Sequence, residues 1–189
     1  MWLLLAGFVA FSAKLSRGQS AIDTQQSVIT IHVFKSGMFS TFADNHEVQA
    51  PIAEGAIDEA KREVQFVVKS GQLKVLDPNL APEKRAEVQT RMVGPDVLDV
   101  EKYPEISFRS SAVEPVGQNS FRVRGELSLH GQKQPVSLEV QGSDGSYKGQ
   151  CSLKQHDYGI TPISIAGGTV KVKDEVKIEF TIVTAGGKP

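Results

Sequence analysis

The chain has 189 residues, of which 40% are hydrophobic and 23% charged, and its formal net charge is -1. The length suits one domain with a buried core, and the composition excludes an intrinsically disordered chain. The small net charge excludes a general DNA- or RNA-binding protein, and the single cysteine, Cys151, excludes an internal disulfide or a cysteine-based zinc cluster.

The first element is an apolar run at residues 2–13, which reads WLLLAGFVAFSA. This run is too short to span a bilayer, which needs about 20 residues, but it suits the core of a secretory signal. We expect residues 1–20 to be a signal peptide, residues 21–189 to form a single β-barrel domain, and the mature protein to be periplasmic or secreted. The alternative is a short, uncleaved membrane anchor.

Alternation of apolar and polar residues dominates the rest of the chain and predicts β-strands. The alternating stretches lie at residues 29–33, 64–68, 106–108, 121–129, 136–140 and 176–182. One apolar and one polar face per strand is typical of an antiparallel sheet with one side in water. Turn residues between the stretches, such as Gly-Ser-Asp-Gly at 142–145, indicate a meander of hairpins.

One short helix is predicted near residues 82–93, with Pro82 in its first turn and Gly94-Pro95 as its stop. One short helix cannot cover the apolar face of a long sheet. The sheet must therefore shield that face from water by its own shape. It can do so by closing into an antiparallel eight-stranded β-barrel or by forming a two-sheet sandwich.

The interior of an eight-stranded barrel is either filled by side chains or holds one small ligand. Small residues at inward positions, namely Gly125, Gly149 and Cys151, are mild support for a hollow interior. The alternation pattern by itself leaves both possibilities open.

Several segments together resemble the YceI-like family. They lie at residues 23–33, 35–46, 92–111 and 125–136, and are joined by 153–160 and 172–176. The most specific are Tyr-Pro-x-Ile-x-Phe at 103–108 and Gly-x-Leu-x-Leu-x-Gly at 125–131. The resemblance implies an exported, lipocalin-like barrel whose apolar tunnel takes an amphiphile such as a polyisoprenoid, with no common enzymatic activity.

We therefore expect a binding protein and no enzyme, cofactor, metal site or catalytic residue. Its partner would be a long-chain isoprenoid of the polyprenyl phosphate or quinone type, or another long-chain amphiphilic lipid. Transient membrane contact and a homodimer are further expectations. The predicted ligand-binding residues are Ile29, Ile31, Val33, Phe66, Val68, Val88, Met92, Ile106, Phe108, Phe121, Val123, Leu127, Leu129, Val136, Leu138, Val140, Ile178, Phe180 and Ile182.

Two rival functions remain open on the sequence. A barrel with a filled core would suit a non-catalytic interaction or stress-related module. A hydrolase or metal enzyme would need Asp44, His46 and His156 to converge, although the four histidines show no zinc-like spacing.

A diphosphate head group would require cations at the tunnel mouth, whereas a quinone would not. The candidate cations are Lys35, Lys61, Arg62, Lys154, Lys171 and Lys173.

Overall fold

The structure is a computed structural model that describes residues 18–36, 45–165 and 170–187, leaving aside the side chains of residues 165 and 170. Almost all of the predicted signal peptide, and Asp44 of the predicted hydrolase site, lie outside the described residues.

Within the described residues, the secondary structure comprises twelve β-strands, one α-helix and two 3-10 turns. The strands are β1 Gln19–Ala21, β2 Val28–Ser36, β3 His46–Gln49, β4 Ile52–Asp58, β5 Glu63–Lys69, β6 Lys74–Val75, β7 Glu105–Gly117, β8 Ser120–Leu129, β9 Gln132–Ser143, β10 Ser146–Lys154, β11 Ser164–Ile165 and β12 Val170–Val183. The helix is α1 Pro82–Val93, and the 3-10 turns are Ser70–Gln72 and Gln155–Tyr158.

All the ladders belong to one antiparallel sheet in the order β1-β4-β5-β7-β8-β9-β10-β12-β2-β3-β6, with β11 beside β12. β3 and β4 pair at opposite ends of this order, with β2 and with β5. Only residues 50–51 separate β3 from β4, so the sheet must curl until its two ends approach each other. The all-β, antiparallel, barrel-like prediction is confirmed, but the predicted count of eight strands is not.

The segment after β1 bridges the two sides of the curled sheet. The amide of Ile22 donates to the carbonyl of Gly55 at 2.9 Å, and the amide of Asp23 donates to the carbonyl of Val183 at 2.7 Å. The buried Ser27 hydroxyl accepts a hydrogen bond from the amide of Val183 at 3.0 Å. These bonds tie β4 to β12 at one end of the sheet.

β8 shows why the sheet has two chemically different faces. Its residues Phe121, Val123 and Leu127 point into the interior, because successive side chains of a strand alternate between faces. Arg122 and Arg124 lie between them on the outer face. They form ion pairs with Glu139 at 3.8 Å and with Glu114 at 2.7 Å.

Helix α1 agrees with the predicted bounds. It begins at Pro82, whose missing amide hydrogen costs nothing in a first turn, and ends at Val93, with Gly94 as its C-cap. The Gln89 side chain fastens the helix to the sheet edge by donating to the carbonyl of Leu73 at 2.9 Å and accepting from the amide of Val75 at 2.8 Å. In the described part of the chain, no helix has both the length and the apolar character needed to cross a membrane.

The inward glycines Gly125 and Gly149 do not open space in the interior, because aromatic rings occupy the space beside them. A Cβ atom added at Gly125 would lie 2.6 Å from the ring of Phe108 and 2.5 Å from the carbonyl oxygen of Arg109. A Cβ atom at Gly149 would lie 2.5 Å from the ring of Phe180. The glycines therefore let the rings of neighbouring strands lie against the wall of the sheet.

We expect Gly125→Ala to lower the free energy of unfolding by about 1–3 kcal/mol, because the added methyl group meets both a ring and a backbone oxygen. Gly117→Ala is the matched control, since its Cβ would have an ordinary contact of 3.6 Å with Ser120. Urea denaturation of both variants measures the difference. Equal stabilities would show that the wall has room at Gly125.

Candidate functional site: an apolar cavity within the curled sheet

The interior of the curled sheet holds a cavity of about 560 Å³ whose wall is almost entirely apolar. The wall draws on strands from both halves of the chain, and the cavity extends from the hairpin turns at one end to the region of α1 at the other. An apolar cavity of this size can exclude water and accept a hydrocarbon chain.

The residues predicted to bind the ligand all line this cavity except Val88. Val88 packs against the buried core beneath α1 instead. Met92, one helical turn later, has a longer and unbranched side chain that does contribute to the cavity wall. The structure thus places the predicted inner face round one space and assigns Val88 to the packing of the helix.

Several wall residues were missed because most of them lie in short strands or in loops, where no alternation can develop, while Val113 follows a register shift that interrupts the alternation of β7. They are Val48, Ala50, Ile57, Leu73, Val97, Leu98, Val113 and Ile160. The Leu98 side chain is 8% exposed and belongs to the buried cluster that closes the end of the cavity near α1. The apolar residues Val97, Leu98 and Val100 were the available signal. Side chains in a loop follow no fixed alternation, so the sequence does not show which of them point into the interior.

At the opposite end, the cavity wall becomes polar at the hairpin turns. We call this set the hairpin rim; it comprises Asp58, Glu59, Arg62, Glu63, Asn119, Ser143, Asp144 and Tyr147. The antiparallel ladders β4–β5, β7–β8 and β9–β10 bring the three turns to the same end of the sheet.

Hydrogen bonds hold several side chains of the hairpin rim, and one of them runs from the Ser143 hydroxyl to the Asp144 carboxylate at 3.1 Å. The Asp58 carboxylate accepts from the amide of Lys61 at 2.9 Å and pairs with its ammonium group at 3.3 Å, so the pKa of Asp58 is lowered. The Tyr147 hydroxyl donates to Glu59 across the rim. Burial and this bond raise the pKa of Tyr147, which stays protonated at neutral pH.

Among the cations considered for a diphosphate, Arg62 alone belongs to the cavity wall that the structure describes. Lys61 is engaged with Asp58, and the Lys173 ammonium group lies 5.9 Å from the centre of the Phe34 ring. Among the described residues, the wall of the cavity therefore contains one cation, Arg62, and no cluster of cations.

The histidines have separate partners in the structure. His46 Nδ1 lies 2.6 Å from the buried carboxylate of Asp77, and His156 Nδ1 lies 3.0 Å from Asp174. In the described ranges, no group of three or more His, Cys, Asp or Glu side chains could hold a metal ion. These contacts give His46 and His156 separate hydrogen-bonding partners and do not bring the two histidines to one site.

Cys151 faces the cavity, and burial raises the pKa of its thiol to about 11. Because the thiolate is the reactive form, we expect iodoacetamide at pH 8 to modify the folded protein at least about tenfold more slowly than the urea-unfolded chain. Mass spectrometry of timed samples measures both rates. Equal rates would show that the thiol is accessible and ionises normally.

Comparison with known families supports the family resemblance carried by the segments at residues 103–108 and 125–131. The model of the YceI-like domain matches residues 21–184, which is most of the chain. The chain belongs to the YceI-like family. It is similar to the UPF0312 protein of Azotobacter vinelandii, with 30% identity over 176 residues that cover 82% of this chain and 86% of that relative.

A second relative matches over a shorter region. The UPF0312 protein of Pseudomonas savastanoi pv. phaseolicola is 36% identical over 85 residues, covering 40% of this YceI-like chain and 44% of the relative. The match thus spans less than half the length of that relative.

Solved structures share the fold of this YceI-like chain. The crystal structure of Burkholderia cenocepacia BcnA has a TM-score of 0.64 at 21% identity and covers 87% of this chain and 99% of its own. The Campylobacter jejuni YCEI protein has a TM-score of 0.51 at 15% identity, covering 98% and 94%. At these identities the likeness concerns the fold.

Proposed function

We propose that this YceI-like protein binds a long-chain isoprenoid lipid and sequesters its tail in the apolar cavity. The single observation that carries the proposal is the cavity of about 560 Å³ with an almost wholly apolar wall. Moving apolar surface from water into such a space contributes roughly 25 cal/mol per Å², enough for tight binding once association costs are met. No covalent chemistry is needed.

The volume of the cavity favours the carrier over the rival module with a filled core. Phe108, Val123 and Val140 form a packed cluster on one side of the interior, yet all three still border open space. We propose that β3 and β4 act as one bent strand, so that the sheet works as a closed, eight-stranded, lipocalin-like barrel around the tail. Separate partners for His46 and His156 give no support to a hydrolase.

We further propose that residues 1–20 direct export and that the protein works in the periplasm or outside the cell. There it would shield, store or transport the lipid, and exchange of the lipid would require transient contact with a membrane. A homodimer is compatible with this role. Tail sequestration suits an aqueous compartment, where a free isoprenoid is insoluble.

Native mass spectrometry after gentle extraction tests the proposed function. We expect a mass increment that matches one isoprenoid lipid, and uptake of such a lipid from isoprenoid-loaded vesicles by the emptied protein. Protein that repeatedly carries no lipid, and takes none from the vesicles, would overturn the proposal.

A further inference from the structure

The hairpin rim carries an excess of negative charge at the end of the cavity. Four carboxylates, those of Asp58, Glu59, Glu63 and Asp144, border the cavity there together with one guanidinium group, that of Arg62. Lys61 compensates Asp58 at 3.3 Å, which leaves Glu59, Glu63 and Asp144 against Arg62. In the part of the chain that the structure describes, no cation forms an ion pair with any of these three acids.

The position of these acids makes their charge relevant to the cavity ligand. Glu59, Glu63 and Asp144 are exposed, and each also borders the cavity. A lipid whose tail occupies the apolar cavity would present its head group at the hairpin rim, where the described wall is polar. A phosphate or diphosphate there would meet like charges at short range. This repulsion would weaken the binding of a charged lipid without strengthening the binding of an uncharged one.

The same rim offers hydrogen bonds to an uncharged head group. Asn119, Ser143 and Arg62 all border the cavity, and the Ser143 hydroxyl, which donates to Asp144 at 3.1 Å, keeps its oxygen as an acceptor. Tyr147 donates to Glu59 and so keeps an oxygen that can accept a further hydrogen bond. A hydroxyl or carbonyl oxygen of a ligand can pair with these groups without bringing a negative charge.

We propose that the hairpin rim selects isoprenoids with an uncharged, hydrogen-bonding head group and rejects those with a phosphate head. This inference rests on the proposed function and narrows its ligand class. Glu59, Glu63 and Asp144 are the residues that determine this specificity. Their negative charges repel a phosphate head group, while the apolar wall binds the tail.

The test compares two probes with the same tail, geranylgeraniol and geranylgeranyl diphosphate, by equilibrium binding to the purified protein. We expect the alcohol to bind at least about tenfold more tightly at low salt. Added salt should tighten the binding of the diphosphate, because it screens repulsion between like charges.

A charge-matched pair of variants locates the effect. The rim variant Glu59→Gln/Glu63→Gln/Asp144→Asn removes three negative charges at the cavity and keeps the side-chain shapes. The control Glu126→Gln/Glu139→Gln/Glu179→Gln removes three from the outer ion pairs of the sheet. We expect the ratio of the two Kd values to shift toward the diphosphate about tenfold in the rim variant and less than twofold in the control.

The outcomes separate this inference from the proposed function. If both probes bind and the diphosphate binds as tightly as the alcohol or more tightly, charge selection is overturned and the lipid carrier stands. Equal shifts in the rim variant and the control would also overturn it, since net charge alone would then explain the preference. If neither probe binds, both the selection and the carrier fail.

Discussion

Phe108→Asp is expected to abolish the folded state, with a loss of about 4 kcal/mol or more in the free energy of unfolding. Phe108 is 4% exposed, and its ring packs against Phe66 with ring centres 5.5 Å apart. The substitution removes this packing and places a carboxylate in an apolar wall that has no partner for it. Circular dichroism and urea denaturation measure the loss.

Ser111→Asp is the matched control for that change. Ser111 lies on the same strand, β7, at an exposed position where its hydroxyl donates to the carbonyl of Arg124. The same carboxylate there stays in water, so we expect a change within about 0.5 kcal/mol. A folded Phe108→Asp protein of normal stability would mean that the interior admits water and is not an apolar site.

Leu138→Trp is expected to weaken isoprenoid binding at least about tenfold while the protein remains folded. Leu138 lines the cavity from β9, and a larger ring there takes up space that the tail would fill. Because the wall borders open space, the added volume has somewhere to go, and the stability cost stays at about 1–3 kcal/mol or less. Binding of geranylgeraniol and thermal unfolding of the same sample measure the two effects.

Ser137→Trp provides the control on the other face of the same strand. Ser137 is the preceding residue, is exposed and lies in a groove on the outer surface of the sheet. We expect its isoprenoid affinity to stay within twofold of the unmodified protein. Equal losses in the two variants would show that the lipid binds outside the cavity or that both substitutions disturb the fold.

The inner face of the long strands was predictable because it depends on local stereochemistry. Side chains of a strand alternate between faces, so apolar residues at every second position along β8 and β9 must share one face. The regular spacing predicts β2, β5, β8, β9 and β12, and Pro82 and Gly94 set the ends of α1. The family segments at 103–108 and 125–131 supplied the ligand class, which the alternation did not contain.

β3 and β4 were missed because Pro51 and Gly55 interrupt the alternation between residues 46 and 58. These two strands nevertheless join the ends of the sheet order, so the curl of the sheet depends on pairings between residues far apart in the chain. The predicted number of strands was not confirmed for the same reason, because short pieces such as β1, β6 and β11 exist only where a neighbour is available to pair with them.

The amino-acid sequence by itself determined which side chains of the regularly alternating strands face inward, since that follows from the two-residue period of an extended backbone. Only the tertiary structure decided that the inward side chains surround open space, because the volume left over depends on the curvature of the whole sheet and on rings such as Phe108 and Phe180 packing against glycines. It also decided the charge of the hairpin rim, because three turns that are remote in sequence become neighbours only when antiparallel strands bring them to one end.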